Sequence, residues 1–393
     1  MAATGPLSGI TVVDLSRILA GPYATLLMAE MGARVIKVEP PAPGDDARAY
    51  GPYKNGVSTY FASINRGKES ISLDLKAAAD KAIFEKLLER ADVVVENFRP
   101  GTMEKLGYGW ETLHARYPRL IYAAASGFGH SGPHSTKPSY DMVVQGLGGI
   151  MSITGHPGMP PARIGMSIGD IGAGLYTAVA INAAIAHRAM TGEATKVDIA
   201  MFDCQLALME NAVMRYTVLG EVPGPLGGRH PSIVPFEAIE TGDGWMIVAA
   251  GNDNLWLKLC EGLGRPDLAA DPRYKTNDLR SRNRDTLRPE LVKELSKRTT
   301  AENVALLEQA GVPSGPINNV REALNHPQVA ARNMLVTVDD PDAGTLTLAG
   351  NPLKFSAFPD PPTRAPAPTL DRDRAKILKE LGLAPPHEDV SRN

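Results

Sequence analysis

The first half of the chain alternates short apolar runs with amphipathic stretches. Ile10-Thr11-Val12-Val13-Asp14-Leu15 reads as a buried strand, and the stretch from Pro22 to Met31 as a helix. Arg34-Val35-Ile36-Lys37-Val38-Glu39 is a second strand. Ile71 to Leu75, a helix through Leu88 and Val93-Val94-Val95 repeat the unit. A helix over Met103 to Tyr117 leads into a strand at Leu120-Ile121-Tyr122-Ala123. Apolar strands separated by helices predict a parallel sheet covered on both faces. The fold class is α/β, and this lobe is Rossmann-like.

Longer helical patterns follow, from Tyr140 to Ser152, Asp170 to Met190 and Phe202 to Leu219. The cluster Val222-Pro223-Gly224-Pro225-Leu226-Gly227-Gly228 then breaks the regularity and marks a domain boundary. Beyond it, Phe236 to Ala250 reads as a hairpin turning at Gly242-Asp243-Gly244, and Asn252 to Gly264 as an amphipathic helix. Helices over Leu287–Lys297 and Ala301–Ala310 complete a smaller α+β lobe. From about Gln328 the pattern turns to short strands and prolines, and it ends in a helix from Arg372 to Leu381.

A chain of 393 residues favours two lobes over one. Its 43% hydrophobic and 22% charged residues describe a soluble globular protein. A net charge of −3 speaks against a general nucleic-acid binder, because no overall positive field gathers phosphates. Cys204 and Cys260 form no disulfide framework, and no ligand-spaced Cys/His cluster implies a metal. The N-terminal residues lack the basic segment and apolar run of a signal peptide. The most apolar stretch, Ile164 to Met190, carries Asp170, Asn182 and His187 and reads as a buried helix rather than a membrane span. The expected location is cytoplasmic, with no membrane partner.

Gly127-Phe128-Gly129-His130-Ser131-Gly132 matches a dinucleotide fingerprint in letters only. Pro133 follows, and no helix opens at the glycines to meet a pyrophosphate. Arg66, Lys68, Lys76, Arg99 and Lys105 cluster beside strand ends and helix starts. They fit either a phosphate-rich ligand or a solvated surface. With no nucleophile elbow or phosphate-binding loop, the candidate nucleophile is a carboxylate.

Asp170 stands out in Ile168-Gly169-Asp170-Ile171-Gly172-Ala173-Gly174. An ionised acid among apolar and small residues is costly unless a helix start or hydrogen bonds compensate it. Two readings are open here: a helix N-cap, or a reactive acid whose small neighbours leave room for a reactant and offer backbone donors to an oxyanion.

Taken together, several segments resemble the class III CoA-transferase superfamily, which includes alpha-methylacyl-CoA racemases. They are Leu15-Ser16-Arg17 with Ala20-Gly21-Pro22, Val95 to Gly101, Tyr140-Asp141, Gly169-Asp170, His230 to Pro235, and Gly311-Val312-Pro313 with Gly315-Pro316. The resemblance covers nearly the whole chain. It implies a large domain of residues 1–221 and 328–393, a small domain of residues 222–327, and an interlinked homodimer of ring-shaped chains. It implies Asp170 as nucleophile, an aspartyl-CoA thioester intermediate and coenzyme A or acyl-CoA as substrate with no tightly bound cofactor. By motif match the CoA contacts are Leu73, Lys76, Asn97, Phe98, Arg99, Lys105, Tyr140 and Met201.

Racemase relatives carry a histidine where this chain has Tyr140, and a phenol is too weak an acid to replace it. Formyl-CoA transferases carry a glutamine where this chain has Leu19, and an extended glycine run that is missing here. The later segments look most like succinyl-CoA:glutarate-type enzymes. A dicarboxylic substrate needs a cation for its far carboxylate, and Arg163 and Arg229, with His230 nearby, are the candidates. The alternatives to a transferase are a racemase and a non-catalytic CoA-binding protein, which has no need of Asp170.

Overall fold

The structure, a computed structural model, describes residues 4–383. Two compact units divide the chain. The first takes in the chain up to Met151, Arg163–Glu221 and the chain from Pro327 on; the second takes in Ser152–Ala162 and Val222–His326. Ser152–Ala162 thus joins the second unit, although the sequence reading placed it within residues 1–221.

The first unit is built on six parallel strands: β1 (Thr11–Asp14), β2 (Arg34–Glu39), β3 (Glu69–Ser72), β4 (Val93–Glu96), β5 (Ile121–Ser126) and β6 (Lys196–Ala200). They lie in the order β3-β2-β1-β4-β5-β6, as in doubly wound nucleotide-binding sheets. Alternation along the strands fills two cores. Val13, Val94, Ile71 and Tyr122 enter one, and Val12, Val93, Val95 and Ile121 the other. The sequence reading did not find β6. Lys196 and Asp198 interrupt its apolar positions, and only Val197 and Ala200 are buried, as suits an edge strand.

Three helices expected as single rods are broken. The first becomes Thr102–Leu106 and Trp110–Arg116, separated at Gly107, whose φ of +91° lies in the left-handed region. The Tyr140–Ser152 stretch becomes α2 (Asp141–Leu147) and Ile150–Ile153, and the stretch after Met201 becomes α4 (Met201–Leu208) and Glu210–Leu219.

Between α2 and α4 in the chain runs α3 (Ile168–Thr191), which packs on α1 (Ala20–Glu30), α2, α4 and the strands β5 and β6. By length and composition α3 alone among the described residues could cross a membrane. Here it buries Gly169, Ala173, Thr177, Ile181, Ala184 and Arg188 in the fold. Arg188 is held by Asp92 at 2.8 Å.

The second unit carries an antiparallel sheet of β7 (Phe236–Glu240), β8 (Trp245–Ala249) and β9 (Ser314–Pro316), with β8 in the middle. Its core joins Ile239, Met246 and Val248 to Trp256, Leu259, Leu287, Leu291 and Leu307 from the helices Asp253–Gly262, Arg284–Leu295 and Thr300–Gln309.

Candidate active site

Strands β1 and β4 are neighbours, and the chain order reverses between them. In open α/β sheets the ligand crevice lies outside the strand C-termini at such a point. The segments leaving the two strands are locked together there. Asn97 Oδ1 accepts the Arg17 N–H at 2.8 Å, while Asn97 Nδ2 donates to the Arg17 carbonyl at 2.7 Å.

The next residue, Ile18, has φ +68°, a left-handed conformation that a β-branched residue adopts only under constraint. Its N–H donates to Asp45 Oδ1 at 3.0 Å. Asp45 in turn pairs with fully buried Lys37 at 2.8 Å, and Lys37 also donates to the Ser16 carbonyl. Asp14 holds Ser16 from below and pairs with Lys68 at 3.1 Å. Lys68 is therefore a buried structural cation rather than part of a phosphate cluster.

The other basic candidates are placed differently. Arg66 is buried and pairs with Glu30 at 2.8 Å, whereas Lys76 after β3, Arg99 after β4 and Lys105 on the short helix that follows are exposed. Phe98 is half-buried, its N–H donating to Glu96 Oε2 at 2.7 Å, with the Arg17 guanidinium 5.8 Å from its ring centre. Burial pushes the Glu96 carboxyl up to about 7, against the bonds from the Phe98 N–H and Tyr122 hydroxyl. Leu73 and Met201 are core residues, so neither presents a side chain to a ligand. Tyr140 is 67% exposed and sits at the N-cap of α2.

Asp170 lies in the first turn of α3, which starts at Ile168 after Ser167 as N-cap. It is therefore not the N-cap, and its carboxylate accepts no hydrogen bond from any described residue. Burial first, and then the charge of Asp141, raise it to about 7. Asp141 is the first residue of α2, yet it caps α3. Its Oδ1 accepts the Gly169 N–H and its Oδ2 the Gln145 amide, each at 2.8 Å.

The glycines do not leave the open space expected of them. A Cβ on Gly169 would lie 2.9 Å from Val144 Cγ2, one on Gly172 3.1 Å from Leu208 Cδ1, and one on Gly174 2.8 Å from the Ala20 carbonyl. They bring α3 against α2, α4 and α1. The Gly169 N–H, committed to Asp141, is no oxyanion donor.

Arg163 lies 4.0 Å from Asp141 and is 43% exposed at its side chain. Arg229 and His230 belong to the second unit. The His230 Nδ1 accepts the N–H groups of Ser232 and Ile233, so that ring nitrogen shapes a turn. Sequence reasoning missed Gln145, which donates to Asp141 and accepts the Ile164 N–H at 3.0 Å. It also missed Tyr60, whose phenol is raised to about 12 by burial and then by the charge of Asp170. Tyr60 carries no local signal because Asp170 is distant in the chain, and Gln145, one helical turn from Asp141, shows its second role only through Ile164, 19 positions along. Among the described residues no three His, Cys, Asp or Glu side chains converge as metal ligands do.

Residues 7–374 match the family described as CoA-transferase family III, and the chain belongs to it. It is 44% identical to the acetyl-CoA:oxalate CoA-transferase of Acetobacter aceti over 96% of each chain. It is 36% identical to the human succinyl-CoA:glutarate CoA-transferase over 96% of this chain and 86% of that one. A crystal structure of a CAIB/BAIF family protein from Brucella suis, 39% identical, superposes with a TM-score of 0.83 over 96% of this chain and 99% of that one. The protein is an enzyme that moves CoA from an acyl-CoA to a carboxylic acid.

Proposed function

We propose that Asp170 is the nucleophile of this transfer. What carries the reading is a half-buried carboxylate in the first turn of α3 with no hydrogen-bond partner among the described residues, beside a second, fully bonded carboxylate. An acid left unbonded in such a place is kept for reaction rather than for structure.

The Asp170 carboxylate attacks the donor thioester, giving a mixed anhydride and CoA thiolate. The thiolate attacks the aspartyl carbonyl, forming aspartyl-CoA thioester and releasing the donor acid. The acceptor carboxylate then attacks that thioester, expelling the thiolate and forming a second anhydride. Thiolate attack on its acceptor carbonyl yields the new acyl-CoA and restores Asp170. Splitting the exchange in this way conserves the thioester energy.

CoA lies over the β1–β4 crevice, with Lys76, Arg99 and Lys105 as exposed cations for its phosphates and with Phe98 and Tyr140 beside it. Asn97 acts by clamping Arg17, and Leu73 and Met201 by shaping the core beneath. The acceptor is a dicarboxylic acid, a reading supported by the oxalate and glutarate in the names of the relatives above. Racemisation is disfavoured because a phenol, Tyr140, stands where racemase relatives carry a histidine.

The working form is a homodimer. Leu175 and Val179 on α3 and Val213, Tyr216, Val218 and Leu219 on the helix Glu210–Leu219 are exposed in the single chain, and that second helix has no buried residue. Two buried free thiols, Cys204 and Cys260, suit a reducing, cytoplasmic setting. Incubating acyl-CoA donors with a panel of mono- and dicarboxylic acids, read by mass spectrometry, tests the substrate class. New acyl-CoA should form with dicarboxylic acids, and exclusive use of monocarboxylic acids would contradict the reading.

A further inference from the structure

The second unit contains a cavity of about 630 Å³ that the chemistry above does not use. Its walls include Arg229, Arg288, Trp245, Leu226, Ile317 and His156. The Pro/Gly segment before Arg229 makes it possible. A Cβ on Gly228 would lie 2.7 Å from that of Ala238, and one on Gly227 2.7 Å from His156 Nδ1, so only glycines let this segment lie so close to β7 and His156. The Ala238 N–H donates to the Gly228 carbonyl at 2.8 Å, and Arg229 bridges to Glu237 through the backbone. Arg229 is thereby fixed in register on the cavity wall.

The two guanidiniums are in different states. Arg288 donates from Nε to buried Glu237 at 2.9 Å and is held in place. Arg229 is half-buried, and its guanidinium makes no hydrogen bond or ion pair with any described residue. Glu237 thus pairs with Arg288 alone, and the Arg229 guanidinium on the cavity wall is left for an anion from outside the fold. Trp245 and Ile317, 47% and 52% exposed, line the same cavity and supply its apolar surface.

A guanidinium beside an apolar wall, in a cavity of small-molecule size, suits a carboxylate with a short hydrocarbon body. We infer that this pocket binds an aliphatic dicarboxylate, one carboxylate on the Arg229 guanidinium and its carbon chain against Trp245 and Ile317. The inference rests on the pocket's own chemistry and stands or falls separately from the role of Asp170. The acid has two possible sources: the acceptor itself, or a separate acid that tunes the enzyme.

Calorimetric titration of the full chain with glutarate tests it, with inorganic phosphate as the control anion. Arg229→Gln should weaken glutarate binding about tenfold or more, and circular dichroism should be unchanged because the Arg229 guanidinium has no partner among the described residues and the backbone bridge survives the substitution. Trp245→Ala should weaken it less, and phosphate should not compete. Asp170→Asn should leave glutarate binding at wild-type strength whatever it does to turnover, which separates this claim from that of the nucleophile. In steady-state assays, a raised KM for the acid at unchanged KM for the acyl-CoA makes the pocket the acceptor's. Lost binding at unchanged KM for both substrates makes it a separate carboxylate site. Glutarate that fails to bind the wild type at millimolar concentration, or binds Arg229→Gln equally well, overturns the inference.

Discussion

The carboxylate of Asp141 accepts the backbone N–H of Gly169 at 2.8 Å, so an acid from one helix fixes the residue just before Asp170 on another. Close packing on α2 explains why residue 169 is glycine, since a Cβ there would lie 2.9 Å from Val144 Cγ2. It would also come within 3.0 Å of that carboxylate oxygen. Asp141 therefore does two things to Asp170: it holds the start of α3 in place, and its charge raises the Asp170 carboxyl after burial has done most of that work.

Two substitutions at Asp141 separate these effects. Asp141→Ala leaves the buried Gly169 N–H and the Gln145 amide without an acceptor, and should cost about 1–3 kcal/mol in denaturant unfolding. Asp141→Asn keeps an acceptor for Gly169 and removes the charge. It should cost less, and should move the acidic limb of the kcat/KM profile to lower pH than in the wild type.

The proposed role of Asp170 sets the expected shape of the wild-type profile. A carboxylate nucleophile must be ionised, so kcat/KM should rise with pH through about 7, the value to which burial and Asp141 bring it. The sign for stability follows from the same shift. A folded-state value above the ordinary 3.8 means a contribution that is whole below 3.8 and lost as pH rises through about 7. Asp170→Asn should accordingly melt at a higher temperature than the wild type at about pH 8, and the difference should vanish towards about pH 4.

Arg99, Lys76 and Lys105 are exposed and carry no structural duty in the fold, so their removal reports on ligand binding alone. Arg99→Ala should weaken CoA binding by about 1.5–3 kcal/mol in calorimetry, with the melting temperature unchanged. Unaltered affinity in all three alanine variants would move the phosphates elsewhere.

The sequence was legible where local pattern and burial coincide. The runs at Val12–Val13, Val35–Ile36 and Val93–Val95 are buried on both faces of a parallel sheet, and they read as strands for that reason. It was not legible where a residue acts across the fold. Asp141 begins α2, and nothing local shows that its carboxylate serves the start of α3, 28 positions along. Lys68 reads as one of several basic residues near strand ends, yet it is fully buried and bonded to Asp14, Thr25 and Asn65. The glycines flanking Asp170 read as room for a ligand because a one-dimensional pattern cannot distinguish open space from closely packed helices.

The choice between transfer and racemisation turns on Tyr140, an exposed phenol at the start of α2. A 2-methylacyl-CoA incubated in deuterated water without an acceptor acid should take up no α-deuterium above background. Rapid uptake would restore the racemase alternative.

The central claim is a covalent intermediate on Asp170. The most direct test adds hydroxylamine during incubation with an acyl-CoA donor alone and maps the adduct by peptide mass spectrometry. The account predicts an aspartyl hydroxamate at position 170, and in Asp170→Ala no adduct and no exchange, with folding and CoA affinity kept. Near-normal turnover in Asp170→Ala, with no adduct at 170 in the wild type, would contradict it.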